Sequence, residues 1–207
     1  YVDGWEEVVQ ATCAHELFHA VQFNYERELS RHGFHEASAV AMENRLVPWS
    51  DDYLQYAKSL ANLRDLVPFP HAVESNAYPH GWFVRSMISD LGVEVVKDLW
   101  EARLTNSLAG PPEFLATMRQ ILPRRGGSFD SQLVRSSMRV ALTGKRSGWT
   151  PQGFALFQDA ARFPKLVGIL DRADATPPLR LELGQFQIHL DTLPPAGDRL
   201  LVWVPDE

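Results

Sequence analysis

The sequence predicts a mainly α chain: a helical domain over residues 1–168, followed over 175–207 by the first strands of a β-sandwich-like domain. Two patterns carry this. Apolar residues recur at helical spacing through most of the first 160 positions, then alternate from about residue 178 onward. A third observation fits them: 45% apolar residues, 11% of all residues aromatic, are enough for a sizeable core in 207 residues.

The elements follow in order. Residues 3–29 open with Asp3 three positions before Glu6, a capping-box-like start, and read as one long buried helix. HEASAVAMENRL, 35–46, is a second helix stopped by Pro48, and Ser50 with Asp51 and Asp52 starts a third that runs to about residue 61. Pro68 and Pro70 mark a loop over 64–77. From Gly81 to Leu104 a helical pattern is divided in two by Gly92, and further helices are expected near 112–122, 129–142 and 151–161. Leu179, Leu181 and Leu183, then Phe186, Ile188 and Leu190, then LLVWV at 200–204 read as strands. Two or three strands make a poor sheet alone, so the β part is expected to continue beyond Glu207.

Twenty Lys and Arg against 26 Asp and Glu give a net charge of −6, without the basic stripe that nucleic acid or anionic lipid demands. No apolar run reaches the roughly 20 residues of a membrane span. The one cysteine, Cys13, excludes an internal disulfide and a thiolate zinc cluster.

The chemistry lies in AHELFH, 14–19. On a helix, positions four apart project about 40° from each other, so the imidazoles of His15 and His19 converge on one point. Glu16 lies about 100° round, able to reach a water held by the ion without ligating it. That arrangement suits Zn2+, which lowers the pKa of its water toward about 7 so that a carboxylate can take the proton. A catalytic zinc takes three protein ligands. The H-E-x-x-H-x-x-G-x-x-H pattern is excluded, because Gln22 and Tyr25 stand where its glycine and third histidine belong. Glu36, at the start of the second helix, is the best third ligand, with His32 and His35 as rivals. Glu43, two turns further along the same face, is placed to accept a hydrogen bond from a ligating histidine and fix its tautomer. Cys13 lies about 200° round from His15 and is expected to be a small core residue.

HELFHAVQF followed by HEASAVAMEN resembles the gluzincin clan of zinc metallopeptidases, in which HExxH precedes a helix opening E-G-x-A-x-x-x-E. Glu36, Ala39 and Glu43 hold that pattern, with Ala37 in place of the usual glycine. YPHGWFVRSMISDLG, 78–92, is similar to the Y-x-x-G helix of the aminopeptidase-like members, which implies Tyr78 as the oxyanion donor; His80, expected at the surface, could share that task. With ALTGKR and ARFP near 141–164, the order of motifs is similar to a group of secreted bacterial metalloproteases whose helical peptidase part precedes β-rich domains. The resemblance implies a zincin-like fold, a secreted protein, a protein or peptide substrate, zinc held by His15, His19 and Glu36, and Glu16 as general base.

Two other readings stay open: a catalytically silent peptidase-fold module that binds a partner, and a zinc hydrolase of non-peptide bonds. AMEN at 41–44 is not the exopeptidase G-x-M-E-N motif, since it follows HExxH instead of preceding it. Endo- and exopeptidase activity remain equally compatible with the sequence. Trp82, Phe83, Trp100 and Phe114 read as core or cleft wall, and Asp51 and Asp52 as capping acids.

Overall fold

A computed structural model describes residues 4–25, 33–50, 52–54, 56, 77–106, 111–143, 153–162, 179–183 and 186–190. These residues are mainly helical: α1 (Trp5–Gln22), α2 (Phe34–Leu46), α3 (Gly81–Leu91), α4 (Glu94–Asn106), α5 (Pro111–Ile121) and α6 (Phe129–Ala141). Short 3₁₀ turns at Tyr78–His80, Leu122–Arg125 and Ala160–Arg162 complete the helical part. A hairpin pairs β1 (Leu179–Leu183) with β2 (Phe186–Leu190) antiparallel, Leu181 opposite Ile188. The expected strand at 200–204 lies outside the described residues, as does most of the third helix expected over 50–61.

Helix α2 is the centre of the arrangement, packed by α1 on one side and α3 on the other. Its composition explains why. FHEASAVAMENRL is rich in alanine, and Ala37, Ser38, Ala39, Val40 and Ala41 are all buried, so small side chains let a neighbour approach from two directions. A helix apolar on one stripe only could not be covered twice. The main core joins Phe34, Ala37 and Ala41 of α2 to Phe83, Val84 and Met87 of α3 and to Val95, Leu99 and Trp100 of α4. A second cluster gathers Val40, Tyr53, Trp82, Val140, Phe157 and Ala160.

Helix α1 and the segment 151–161 differ from what the sequence predicts, and α1 ends at Gln22, with turn residues at 23–25 where the helix is expected to run on to residue 29. The capping box at Asp3 is not the start of α1: its N-cap is Gly4, left-handed at φ 95°, with no side-chain cap. Gly92, at φ 82°, does end α3 as expected, and α6 has a reciprocal Ser128–Ser131 capping box that the sequence reading passed over. The helix expected over 151–161 is absent from residues 153–159. Gly153 sits at φ 79°, the Ala155 carbonyl accepts a hydrogen bond from Arg139 Nε (2.9 Å), and Asp159 is tied to Arg85 at 2.6 Å. The left-handed Gly153 and the Ala155 carbonyl, taken by Arg139, depart from the backbone conformation and hydrogen bonding of a helix, and the Arg85 pair anchors the segment. Helix α1 is also not buried all round: Trp5, Val8, Val9 and Leu17 are exposed along its outer face, and Cys13, expected in the core, is exposed there too.

Gly81 is where α3 meets α2. A Cβ there would stand 2.6 Å from Val40 Cγ1 and 3.3 Å from the Ala37 carbonyl oxygen, so this junction accepts hydrogen only. Gly81→Ala is therefore expected to destabilise the protein by about 1–3 kcal/mol, the usual range for overpacking, and urea unfolding would read it directly. An unchanged midpoint would mean that α2 and α3 have room to separate.

Asp90 of α3 joins that helix to α6. Its carboxylate accepts from Arg135 Nε (2.7 Å) and Nη2 (3.0 Å), and from Arg139 Nη1 (2.9 Å) and Nη2 (2.5 Å). Burial opposes its ionisation, yet the two guanidinium groups win and hold its pKa at about 2 instead of 3.8. A depressed carboxylate stabilises the fold above its unfolded pKa, and that contribution disappears as pH falls through the folded value. Acid titration should thus weaken the fold between about pH 4 and pH 2. In Asp90→Asn, stability at neutral pH should drop and this part of the acid dependence should vanish.

Candidate metal centre

The first and second helices place the site. His15 and His19 lie one turn apart on the face of α1 that meets α2, while Glu36 opens α2 and Glu43 follows two turns later. The two helices therefore face each other with imidazoles on one side and carboxylates on the other. His15 Nε2 stands 2.9 Å from His19 Nε2 and 3.1 Å from Glu36 Oε2, and His19 Nε2 is 3.5 Å from the same oxygen. Three ligand-type atoms thus meet at one point, the grouping among the described residues able to hold a metal ion.

Each imidazole is held from behind. His15 Nδ1 is hydrogen-bonded to the Glu43 carboxylate, which is buried. His19 Nδ1 is 2.6 Å from Gln22 Oε1, a partner the sequence reading did not single out. It could have been found: a glutamine three positions after His19 shares its helix face, and a polar residue on a buried face calls for a partner.

The two carboxylates differ in their electrostatics, and both favour positive charge on His15. Burial opposes the imidazolium of His15, but Glu36 and Glu43 outweigh it and push the pKa up to about 9. His19 is also raised, chiefly by its hydrogen bond with Glu36, against burial. Burial works to raise Glu36, yet the two histidines hold its carboxyl well below the usual carboxylate range. Glu43, more deeply buried, is raised, burial outweighing the attraction of His15. The carboxylates thus favour positive charge at the two imidazoles, and cation binding there would be coupled to proton release.

The remaining candidates fall into different places. Tyr78 stacks on the His15 ring, centroids 5.9 Å apart and planes 16° from parallel, so it borders the cluster. Burial and the nearby Glu36 carboxylate push its hydroxyl up to about 12, which keeps the hydroxyl protonated. Tyr56, unremarked in the sequence, stacks on Tyr78 in turn at 5.0 Å; nothing in the local pattern could have joined two tyrosines so far apart in the chain. Glu16 is exposed on α1, one residue past His15. His35, a rival for the third position, is instead buried against Trp100, ring centroids 4.8 Å apart. His32 lies outside the described residues. His80, expected at the surface, is buried at the N-terminus of α3, and burial lowers its pKa to about 4. Of the aromatics expected as core or cleft wall, Trp82, Phe83 and Trp100 are core residues, and the side chain of Phe114 lies outside what is described.

No family model, curated protein or solved structure matches the chain. The site stands on its own geometry.

Partners behind metal-ligating histidines are worth about 10–100-fold in metal affinity. For a metal ion held by this cluster, Glu43→Ala is therefore expected to weaken the affinity by that factor with the helical circular dichroism spectrum preserved. Competition against a chromophoric chelator measures it, and wild-type affinity in the variant would show that His15 needs no support from α2.

Proposed function

We propose that this chain is a zinc metallopeptidase of the gluzincin type, with His15, His19 and Glu36 as metal ligands and Glu16 as general base. The supporting observation is the spacing of the three ligand atoms. Metal–ligand bonds of about 2.0–2.1 Å in a tetrahedron place ligand atoms about 3.3 Å apart, and the distances here are 2.9, 3.1 and 3.5 Å. Two neutral imidazoles and one carboxylate are a donor set that zinc accepts. The orientation of His15 by Glu43 and of His19 by Gln22 points their Nε2 atoms at this convergence.

Bound there, zinc supplies a Lewis acid for the scissile carbonyl and an acidified water. Glu16, exposed and next in sequence to His15, receives the proton of the attacking water and hands it to the leaving amine. Tyr78, its hydroxyl kept protonated, donates a hydrogen bond to the carbonyl oxygen as that oxygen gains charge; one such donor is worth roughly 2.7–4 kcal/mol. The substrate on this reading is a protein or peptide. The β1–β2 hairpin supports reading residues 175–207 as the first strands of a β-rich domain after a zincin-like helical domain over 1–168, and by resemblance the protein is secreted. Among the described residues no helix is long and apolar enough to cross a membrane.

Purified protein is expected to carry one zinc and to cleave casein or a quenched peptide. Glu16→Gln should keep the zinc and lose about 10²–10⁴-fold in rate, the usual contribution of a general base. Zinc without cleavage would favour a binding module or a non-peptide hydrolase, and undiminished cleavage by Glu16→Gln would remove Glu16 from the reaction.

A further inference from the structure

Gln22 is fully buried, 0% exposed, and its side chain uses both ends. Its Nε2 lies 3.0 Å from the His35 carbonyl oxygen and 3.0 Å from Ser38 Oγ, both on α2. A carbonyl oxygen can only accept, so the group facing it must be the amide NH₂. The Ser38 hydroxyl donates to the Phe34 carbonyl at 2.5 Å and so offers Gln22 a lone pair. With its nitrogen committed to α2, Gln22 has only its oxygen to turn toward His19, and Oε1 stands 2.6 Å from His19 Nδ1. The His19 nitrogen must then be the donor.

We infer that Gln22 is a positioning residue that sets the tautomer of His19, keeping the proton on Nδ1 so that Nε2 presents its lone pair where His15 and Glu36 converge. The orientation of the amide comes from the backbone of α2, the helix that also carries Glu36. One side chain thus ties the direction of an α1 imidazole to the helix that supplies the carboxylate. His15 is oriented by a carboxylate, His19 by a neutral amide, and the two roles are not interchangeable: a glutamate at position 22 could accept from His19 but could not donate to His35 and Ser38.

This inference rests on the zinc reading above. It is tested with zinc-loaded protein by chelator competition and by long-range ¹H–¹⁵N NMR of the histidine rings. In the wild type, the His19 ring proton should be on Nδ1 and slow to exchange with water. Gln22→Met, close in size but without an acceptor oxygen, should bind zinc about 10–100-fold more weakly and lose the slow ring proton. Gln22→Glu should retain that proton and bind zinc more tightly than Gln22→Met, while unfolding at a lower temperature because its two donations into α2 are gone. A purely structural glutamine would lower thermal stability in both variants alike and leave the ring proton untouched in each. Metal found on His19 Nδ1 in the wild type overturns the inference even if Gln22→Met does not fold, and so does wild-type affinity with a slow ring proton in folded Gln22→Met. Wild-type protein that binds no zinc would overturn the zinc reading itself, and is recognised before any variant is made.

Discussion

Two histidines one turn apart on a helix specify a direction, and they become a site only if a second helix brings a carboxylate to the same point and holds it there. The pairing of α1 with α2 meets that demand. It rests on hydrogen bonds that run across the interface at three levels: Glu36 to His15, Glu43 to the far side of His15, and Gln22 to the backbone of α2. Buried polar groups left unpaired would cost about 1–3 kcal/mol each, so these contacts also fix the register of the two helices. A slide of α2 by one residue would turn Glu36 and Glu43 away together, because they occupy one face.

The alanine-rich sequence of α2 serves the same end. Ala37 and Val40 form the floor against which Gly81 rests, and Gly81 follows the short turn that carries Tyr78. A larger residue at Gly81 would lift α3, and with it the tyrosine that stacks on His15. Close packing at Gly81 thus bears on the placement of Tyr78, three residues earlier in the chain. The Asp90–Arg135–Arg139 network does comparable work further out, tying α3 to α6 and pinning the irregular segment at Ala155.

Much of this cluster could be read from the sequence because it depends on local periodicity. His15, Glu16 and His19 follow from helical angles alone, and Glu36 and Glu43 follow once a second helix folds back on the first. What could not be read depends on contacts between distant segments. The helical pattern at 151–161 was overridden by Arg85 and Arg139, which reach it from other helices. His80 looks like a surface histidine in YPHG and is buried, since burial at a helix start is decided by what packs above it. Cys13 and the outer face of α1 failed in the opposite sense: apolar residues at helical spacing say that a face is hydrophobic, not that any described element covers it.

The unequal support of the two histidines has an electrostatic consequence. A divalent cation at the cluster would meet the carboxylate of Glu36 directly, with Glu43 behind His15 as a second carboxylate. A carboxylate in place of the Gln22 amide would add a further negative charge beside the same cluster and lower the net charge there. The neutral amide orients His19 without that added charge. Orientation by hydrogen bond and control of net charge are thus separate requirements, and in this chain Glu43 meets them at one histidine and Gln22 at the other.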